Sequence, residues 1–422
     1  MSSSKNILNP IIDSLYDVCK TSLKAFYNLM NIETYFDIIN FFKQVEFKNK
    51  KSMYPKLIKI YESPKGYTYL LSCPFGLSIN DFIKVKDALE IQLKNKITIK
   101  ERKGYIEIEV ITKKISNKIE YKVPKRNYNL GYIEIPIAES LDGTVYLNLK
   151  ENPNTLISGT TGSGKSVCSK SILTSLVNMY SPSELELYLI DFKIVELAMF
   201  RNLKHTKAYV NNVDDAKELI ADLMIECDKR YKEFFKYDVA NIYDYNKIPG
   251  INKMNFKILF IEEFIGMLED KRKVGMTILK KFASLCRACG MYLFCSMQRA
   301  DHTVIDLVLR ANLNNRIIFR VEDEANSKLV LDSTGAEKLN GNGHALIKMN
   351  GKIVESQAYF IKDSQVKEYI KKYVVNKSYK DIKQANVKYL NNTKPADKVL
   401  NLNKDSKQQE YILDDLSFLD NI

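Results

Sequence analysis

Eight consecutive residues, Gly159-Thr160-Thr161-Gly162-Ser163-Gly164-Lys165-Ser166, have the types and spacing of a phosphate-binding loop, G-x4-G-K-S. Glycines let such a backbone wrap a phosphate with successive N–H groups turned inward. Lys165 offers an ammonium to the β- and γ-phosphates, and the Ser166 hydroxyl offers a ligand to Mg²⁺. The flanks support the reading. Leu156-Ile157 predicts an apolar strand entering the loop. Val167, Ile172, Leu173 and Leu176 recur along one side of a helix leaving it, with Pro182 beyond its end. The helix N-terminus adds its dipole to the phosphate site. Residues 159–167 are therefore expected to bind ATP with Mg²⁺.

A second set follows about 100 residues later in Lys257-Ile-Leu-Phe-Ile-Glu-Glu-Phe264. Four apolar residues ending in two carboxylates fit a Walker B strand. Glu262 would bind Mg²⁺ through water, and Glu263 would orient or deprotonate the attacking water. A strand end can also carry acids for solubility, but a phosphate loop upstream favours the catalytic reading. Gln298 closes a further apolar strand, Met291-Tyr-Leu-Phe-Cys-Ser-Met297. It could sense the γ-phosphate or simply mark a strand-to-loop boundary, and its chemistry does not choose. P-loop motors often complete the site with an arginine from a neighbouring subunit. Arg316, Arg320, Arg287 and Arg299 are candidates, and the sequence does not rank them.

Strands that alternate with helices must position these groups. From about residue 132, short apolar strands are expected at Thr155–Ser158, Leu187–Ile190, Ile258–Ile261, Met291–Ser296, Arg316–Val321 and His344–Lys348. That alternation implies an α/β fold with a mostly parallel sheet and helices on both faces. Upstream, residues 56–73 alternate like a hairpin around Pro64-Lys65-Gly66, and 79–94 read as a helix capped by Ser78 or Asn80. Ile97 and Ile99 then pair across Lys103-Gly104 with Ile106, Ile108 and Val110. The expected division is an N-terminal helical segment (1–48), a small basic α+β domain (49–128), an ATPase motor (129–375) and a flexible tail (376–422). The tail ends in an acidic-apolar run, Tyr411 to Ile422, read either as a docking peptide or as a frayed terminus.

The 422 residues carry 64 Lys/Arg against 51 Asp/Glu, a net charge of +13. The excess is local: residues 41–130 hold 20 basic and 9 acidic side chains. The basic module reads either as a solvated lysine-rich surface or as a landing surface for phosphates. Lys94, Lys96, Lys100, Arg102, Lys103, Lys113 and Lys114 are its candidate contacts, with Lys271-Arg272-Lys273 in the motor. No run of about 18 uncharged apolar residues predicts a membrane span, and no export leader is evident. Seven cysteines, an odd number, fit a reduced interior. The lone Cys286-x-x-Cys289 lacks the second pair of a zinc site, so core packing is expected.

Taken together, these residues resemble the FtsK/SpoIIIE family of DNA translocases along 131–362. Pro153 to Val167 is similar to the family P-loop. Leu189-Ile-Asp-Phe-Lys193 with Glu196-Leu197 resembles its I-D-P-K strand. Asp228-Lys-Arg-Tyr231 with Asn241 and Tyr245-Asn246, Ser296-Met-Gln-Arg299, Ala311-Asn312 with Arg316 to Val321, and Leu331 to Gly343 match further stretches in order. The resemblance implies a RecA-like motor, ATP hydrolysis, double-stranded DNA as substrate and a homo-hexameric ring. Three departures stand out. Glu262 replaces the family Asp, a difference of one methylene, about 1.5 Å. Membrane-spanning helices are not expected. The tail is too short for the winged-helix domain that reads orienting sequences. These departures point toward conjugative or plasmid DNA transfer or partition, in the cytoplasm, with a recruiting partner at the membrane. A protein-secretion ATPase with the same motor fold, a chromosome-segregation translocase and an ATP-switched assembly protein are the alternatives.

Overall fold

The computed structural model describes residues 37–269, 274–298 and 307–375. The expectations for residues 7–36, Lys271-Arg272-Lys273, Arg299 and the tail after 375 lie outside the described residues. The chain divides into two compact units, Met1–Lys114 and Ile115–Ile422.

In the first unit, helix α1 (Ile38–Gln44) starts at Asp37, whose carboxylate accepts the N–H groups of Ile39 and Asn40. Strands β1 (Lys56–Ser63) and β2 (Gly66–Ser72) form the expected hairpin. The helix expected over 79–94 is two, α2 (Ile79–Lys84) and α3 (Lys86–Leu93), because Val85 leaves helical geometry at φ −96°, ψ 4°. Ser78 caps α2 in a capping box with Asp81. Strands β3 (Lys96–Arg102) and β4 (Tyr105–Ile111) complete an antiparallel sheet of order β1-β2-β4-β3. One face packs Tyr69, Leu71, Ile106, Ile108 and Val110 against Phe41, Phe42, Phe82 and Leu89.

The second unit is the RecA-like α/β motor fold. In chain order it runs β5 (Ile119–Glu120), β6 (Glu134–Ser140), β7 (Gly143–Asn148), β8 (Asn154–Ser158), α4 (Lys165–Met179), β9 (Leu185–Asp191) and β10 (Thr206–Val210). Then come α5 (Val213–Lys236), α6 (Ile242–Tyr245), β11 (Phe256–Glu262), α7 (Val274–Leu285), β12 (Met291–Met297), α8 (Leu307–Asn312) and β13 (Asn315–Ile318). It ends with α9 (Glu324–Leu331), β14 (His344–Met349), β15 (Lys352–Phe360) and α10 (Asp363–Ile370). The sheet order is β10-β9-β11-β12-β8-β13-β14-β15-β6-β7, with β5 beside β15. From β10 to β13 all neighbours are parallel. From β13 to β7 they are antiparallel.

Alternate residues of each parallel strand feed two cores. Ile157, Leu189, Phe260 and Phe294 pack on α4 through Ile172, Leu173 and Leu176. Leu156, Ile190, Ile261 and Cys295 face α5 and α7 through Leu219, Leu223, Leu279 and Phe282. Burial on both faces is why these strands read as continuous apolar runs. Cys286 and Cys289 lie inside the second core as free thiols. No group of three or more His, Cys, Asp or Glu among the described residues could hold a metal.

The antiparallel wing corrects the expectation for β14, which was read as part of the parallel set. Asn350-Gly351, at φ +49° and +75°, turns β14 directly into β15, and a two-residue turn can only join antiparallel strands. Strand β13 is also shorter than expected. After Phe319 donates to the Ser158 carbonyl at 2.8 Å the chain bends, and the Arg320 carbonyl instead accepts the Thr160 N–H at 2.9 Å.

Candidate nucleotide site

The carboxyl ends of β8, β11 and β12 converge where ligands bind in open α/β sheets. Between β8 and α4, the loop from Gly159 to Ser166 has Gly159, Gly162 and Gly164 at φ +159°, +76° and +117°. Two of these glycines are also sterically required. A Cβ on Gly159 would lie 2.6 Å from the Phe319 Cβ, and one on Gly164 would lie 2.6 Å from the Gly343 nitrogen. Gly343 in turn donates to the Ser163 carbonyl at 2.8 Å, tying the loop to the start of β14. Ser163 is buried, whereas Thr161 and Gly162 form the exposed tip.

A cleft of about 460 Å³ opens over this loop. Thr160, Thr161, Gly162, Gly164, Lys165, Ser166, Val167, Glu196, Gln298, Asn342 and Gly343 line its polar side. Asn117, Lys118, Ala358, Tyr359 and Phe360, from the β5 and β15 edge, line the rest. The Lys118 ammonium lies 4.3 Å from the centre of the Phe360 ring.

Lys165 is buried below the cleft. Its ammonium is paired with Glu262 Oε1 and bonds Ser296 Oγ at 2.8 Å. Ser296 donates to the same Glu262 oxygen at 2.9 Å. Glu262 Oε2 is buried without a hydrogen-bond partner. Burial pushes the Glu262 carboxyl above its ordinary range, and the Lys165 charge works against that. Glu263 follows at φ +57°, a left-handed conformation rare outside glycine. Its Oε1 accepts the Gln298 N–H at 3.2 Å, and its Oε2 lies 2.9 Å from the Lys193 ammonium.

These residues fit a triphosphate with Mg²⁺. Glycine at 159 and 164 lets the loop close against Phe319 and Gly343, Ser166 faces the cleft, and the orphaned oxygen of Glu262 lies just behind it on the carboxylate paired with Lys165. The structure brings Lys165, Ser166, Glu262, Glu263 and Gln298 together at one end of the sheet.

The arginines are not. Arg316 is buried, with its guanidinium on Asp332 Oδ2 at 2.6 Å and on the carbonyls of Leu313, Val330 and Arg310. That engagement speaks against its reading as a finger, because four of its five guanidinium N–H groups are already taken on its own chain. Arg320 is exposed and its backbone abuts its own loop, and Arg287 is exposed.

Residues 116–339 match the FtsK/SpoIIIE family model. The chain belongs to the FtsK/SpoIIIE family. A DNA translocase FtsK of Clostridium acetobutylicum is 30% identical over 343 residues, 78% of this chain and 45% of the relative. DNA translocase SftA of Bacillus subtilis is 32% identical over 309 residues, 69% of this chain and 32% of the relative. The chain therefore spans less than half the length of these relatives. Among solved structures, the pCW3 conjugation coupling protein TcpA, with ATPγS, superposes with a TM-score of 0.57 at 24% identity, covering 79% of this chain and 97% of that one. ATPases 2 and 3 of EssC from Geobacillus thermodenitrificans give 0.54 at 21%, covering 67% and 54%. Both share the motor fold.

Family matching picked out the stretch of Lys193 and Ser296 without giving either a role, and the structure places both on the carboxylate pair.

Proposed function

We propose that this chain is an ATP-driven translocase of double-stranded DNA, working as a ring of identical subunits, a hexamer, in conjugative or plasmid DNA transfer or partition. It acts in the cytoplasm and reaches the membrane through a recruiting partner. The observation that carries hydrolysis is the carboxylate pair at the end of β11, with Glu262 on the loop lysine and Glu263 beside Gln298. DNA as cargo rests on the relatives named DNA translocases.

Backbone N–H groups of residues 159–167 hold the phosphates, and the Lys165 ammonium neutralises their charge. Ser166 and Glu262 would hold Mg²⁺, which supplies further neutralisation of the developing phosphate charge. Glu263 orients the attacking water and takes its proton, and Gln298, hydrogen-bonded to Glu263 through its backbone, reports the state of the cleft. Arg320 remains exposed to complete a neighbour's site.

The decisive measurement is phosphate release with and without duplex DNA. Stimulation by unrelated duplexes is expected. ATP turnover indifferent to DNA would shift the reading to a protein-secretion ATPase, and ATP binding with no turnover to a nucleotide-switched assembly protein. Glu263→Gln should bind ATP normally and lose about 10²–10³-fold in kcat. Parental turnover in that variant would remove Glu263 from the mechanism.

A further inference from the structure

We infer that Lys193 is a positioning residue for Glu263, fixing the carboxylate that aims the attacking water; the inference rests on the hydrolytic reading of this site. Glu263 leaves β11 in a left-handed conformation, so its backbone alone does not define where its carboxylate points. Two groups do. The Gln298 N–H takes Oε1 at 3.2 Å, and the Lys193 ammonium sits 2.9 Å from Oε2 as an ion pair without hydrogen-bond alignment. Neither is local in sequence. Lys193 arrives because β9 and β11 run parallel with Asp191 opposite Glu262, so the residues just past both strand ends are neighbours.

The turn that carries Lys193 is itself anchored. Asp191, fully buried, accepts the Lys193 N–H on Oδ1 at 3.2 Å and the Leu197 N–H on Oδ2 at 2.9 Å. The Tyr209 hydroxyl lies 3.0 Å from Asp191 Oδ2 and 3.1 Å from the Ile194 carbonyl. Ile194 is held at φ +69°, a conformation that a β-branched residue adopts only when its surroundings impose it. A buried aspartate, a tyrosine and a constrained turn thus place one ammonium on one carboxylate oxygen. The Lys193 ammonium meets the site at Glu263 Oε2, so the role inferred for it runs through that carboxylate. Misplacing a water-orienting group by about 1 Å costs on the order of 10²-fold in rate, which sets the scale of the effect.

The test compares steady-state phosphate release and binding of a non-hydrolysable ATP analogue in the full chain. Lys193→Ala and Lys193→Met should lower kcat about 10–100-fold while analogue affinity and KM stay within about 3-fold. Lys193→Arg, whose guanidinium also pairs with a carboxylate, should recover most of the rate. In a Glu263→Gln background, Lys193→Ala should cost little more, because its target is already gone. Parental kcat in Lys193→Ala, or a loss of analogue binding as large as the loss of kcat, would overturn the inference. A parent chain that hydrolyses no ATP would sink the proposed function and this role with it. An active parent with an unaffected Lys193→Ala would sink this role alone.

Discussion

Two clusters of charge lie along the motor sheet, one buried and one at its surface, and they are built to opposite ends. On the cleft, Lys165 shares one oxygen of Glu262 with Ser296 while the other oxygen is buried without a hydrogen-bond partner. Behind β13, Asp332 gathers Arg310, Arg316 and Lys348, and Arg316 places three further donors on backbone carbonyls. The first cluster is unsaturated and opens onto a cavity. In the second, the charges satisfy one another and the backbone at a partly exposed surface. A buried polar atom left unsatisfied is costly, and one beside the loop lysine under the cleft is where a ligand would complete it. A basic residue next to a strand looks alike in both sequences. Only the count of satisfied atoms separates a working lysine from a bracing arginine.

The largest effect expected from this contrast is on Lys165. Lys165→Ala should abolish ATP binding and hydrolysis, measured by nucleotide titration and phosphate release. The fold should survive, because burial already favours the protonated, neutral form of Glu262 once its partner is removed. Retained ATP affinity would break the assignment of the cleft.

Arg316→Ala should do the reverse. Removing the buried guanidinium strands the carbonyls of Leu313, Val330 and Arg310, while Asp332 keeps Arg310 and Lys348, and costs about 1–3 kcal/mol, read by denaturant unfolding. The rate per folded molecule should stay near that of the parent. A variant that kept its stability and lost hydrolysis would restore Arg316 as a catalytic arginine and collapse the comparison.

Arg320 sharpens the same contrast from the other side. It is exposed on the bend after β13, and the ring proposed above assigns it to a neighbour's site. Arg320→Ala chains and Lys165→Ala chains, each inactive alone, should regain part of the parental DNA-stimulated rate when mixed, since mixed interfaces pair an intact loop with an intact arginine. Arg316→Ala mixed with Lys165→Ala should give no such gain. Equal behaviour of the two mixtures would leave the difference between the arginines without a functional meaning.

What was readable in sequence follows the reach of each interaction. The phosphate loop and the Glu262-Glu263 pair are contiguous, because a turn and a strand end can present their chemistry without help. The contact of Lys193 with Glu263 spans 70 positions and exists only through the register of β9 on β11. Arg316 looked like a finger because its partner, Asp332, lies beyond α9 and carries no signal at the arginine. The antiparallel wing was legible at one point, Asn350-Gly351 between alternating runs, and that hairpin signal outranks the strand–helix alternation used to call the sheet parallel. In the small unit, the seven candidate cations are exposed, but Lys96 pairs with Glu90 at 2.9 Å and Arg102 with Glu107 at 3.4 Å. Charge counting sees the lysines and misses the acids folded against them.

The smallest effect concerns acid. Burial alone would raise the Asp332 carboxyl, but hydrogen bonds from Lys348 and Arg310 and the charge of Arg316 outweigh it and hold the group at about 2, below its usual value of 3.8. A carboxyl depressed in the folded state stabilises the fold above its unfolded value. That stability is lost as pH falls from about 4 toward about 2. The carboxylate is about one third exposed, with 34% of its side chain accessible, so screening trims the contribution to about 1 kcal/mol. Unfolding of the parent and of Asp332→Asn, compared at pH 7 and at about pH 3, should therefore show a gap that narrows in acid. The amide already lacks the charge that the parent loses. A gap that stayed constant with pH would mean that Asp332 acts through shape and hydrogen bonding alone, and the second cluster would then owe its stability to its saturated backbone contacts and not to charge.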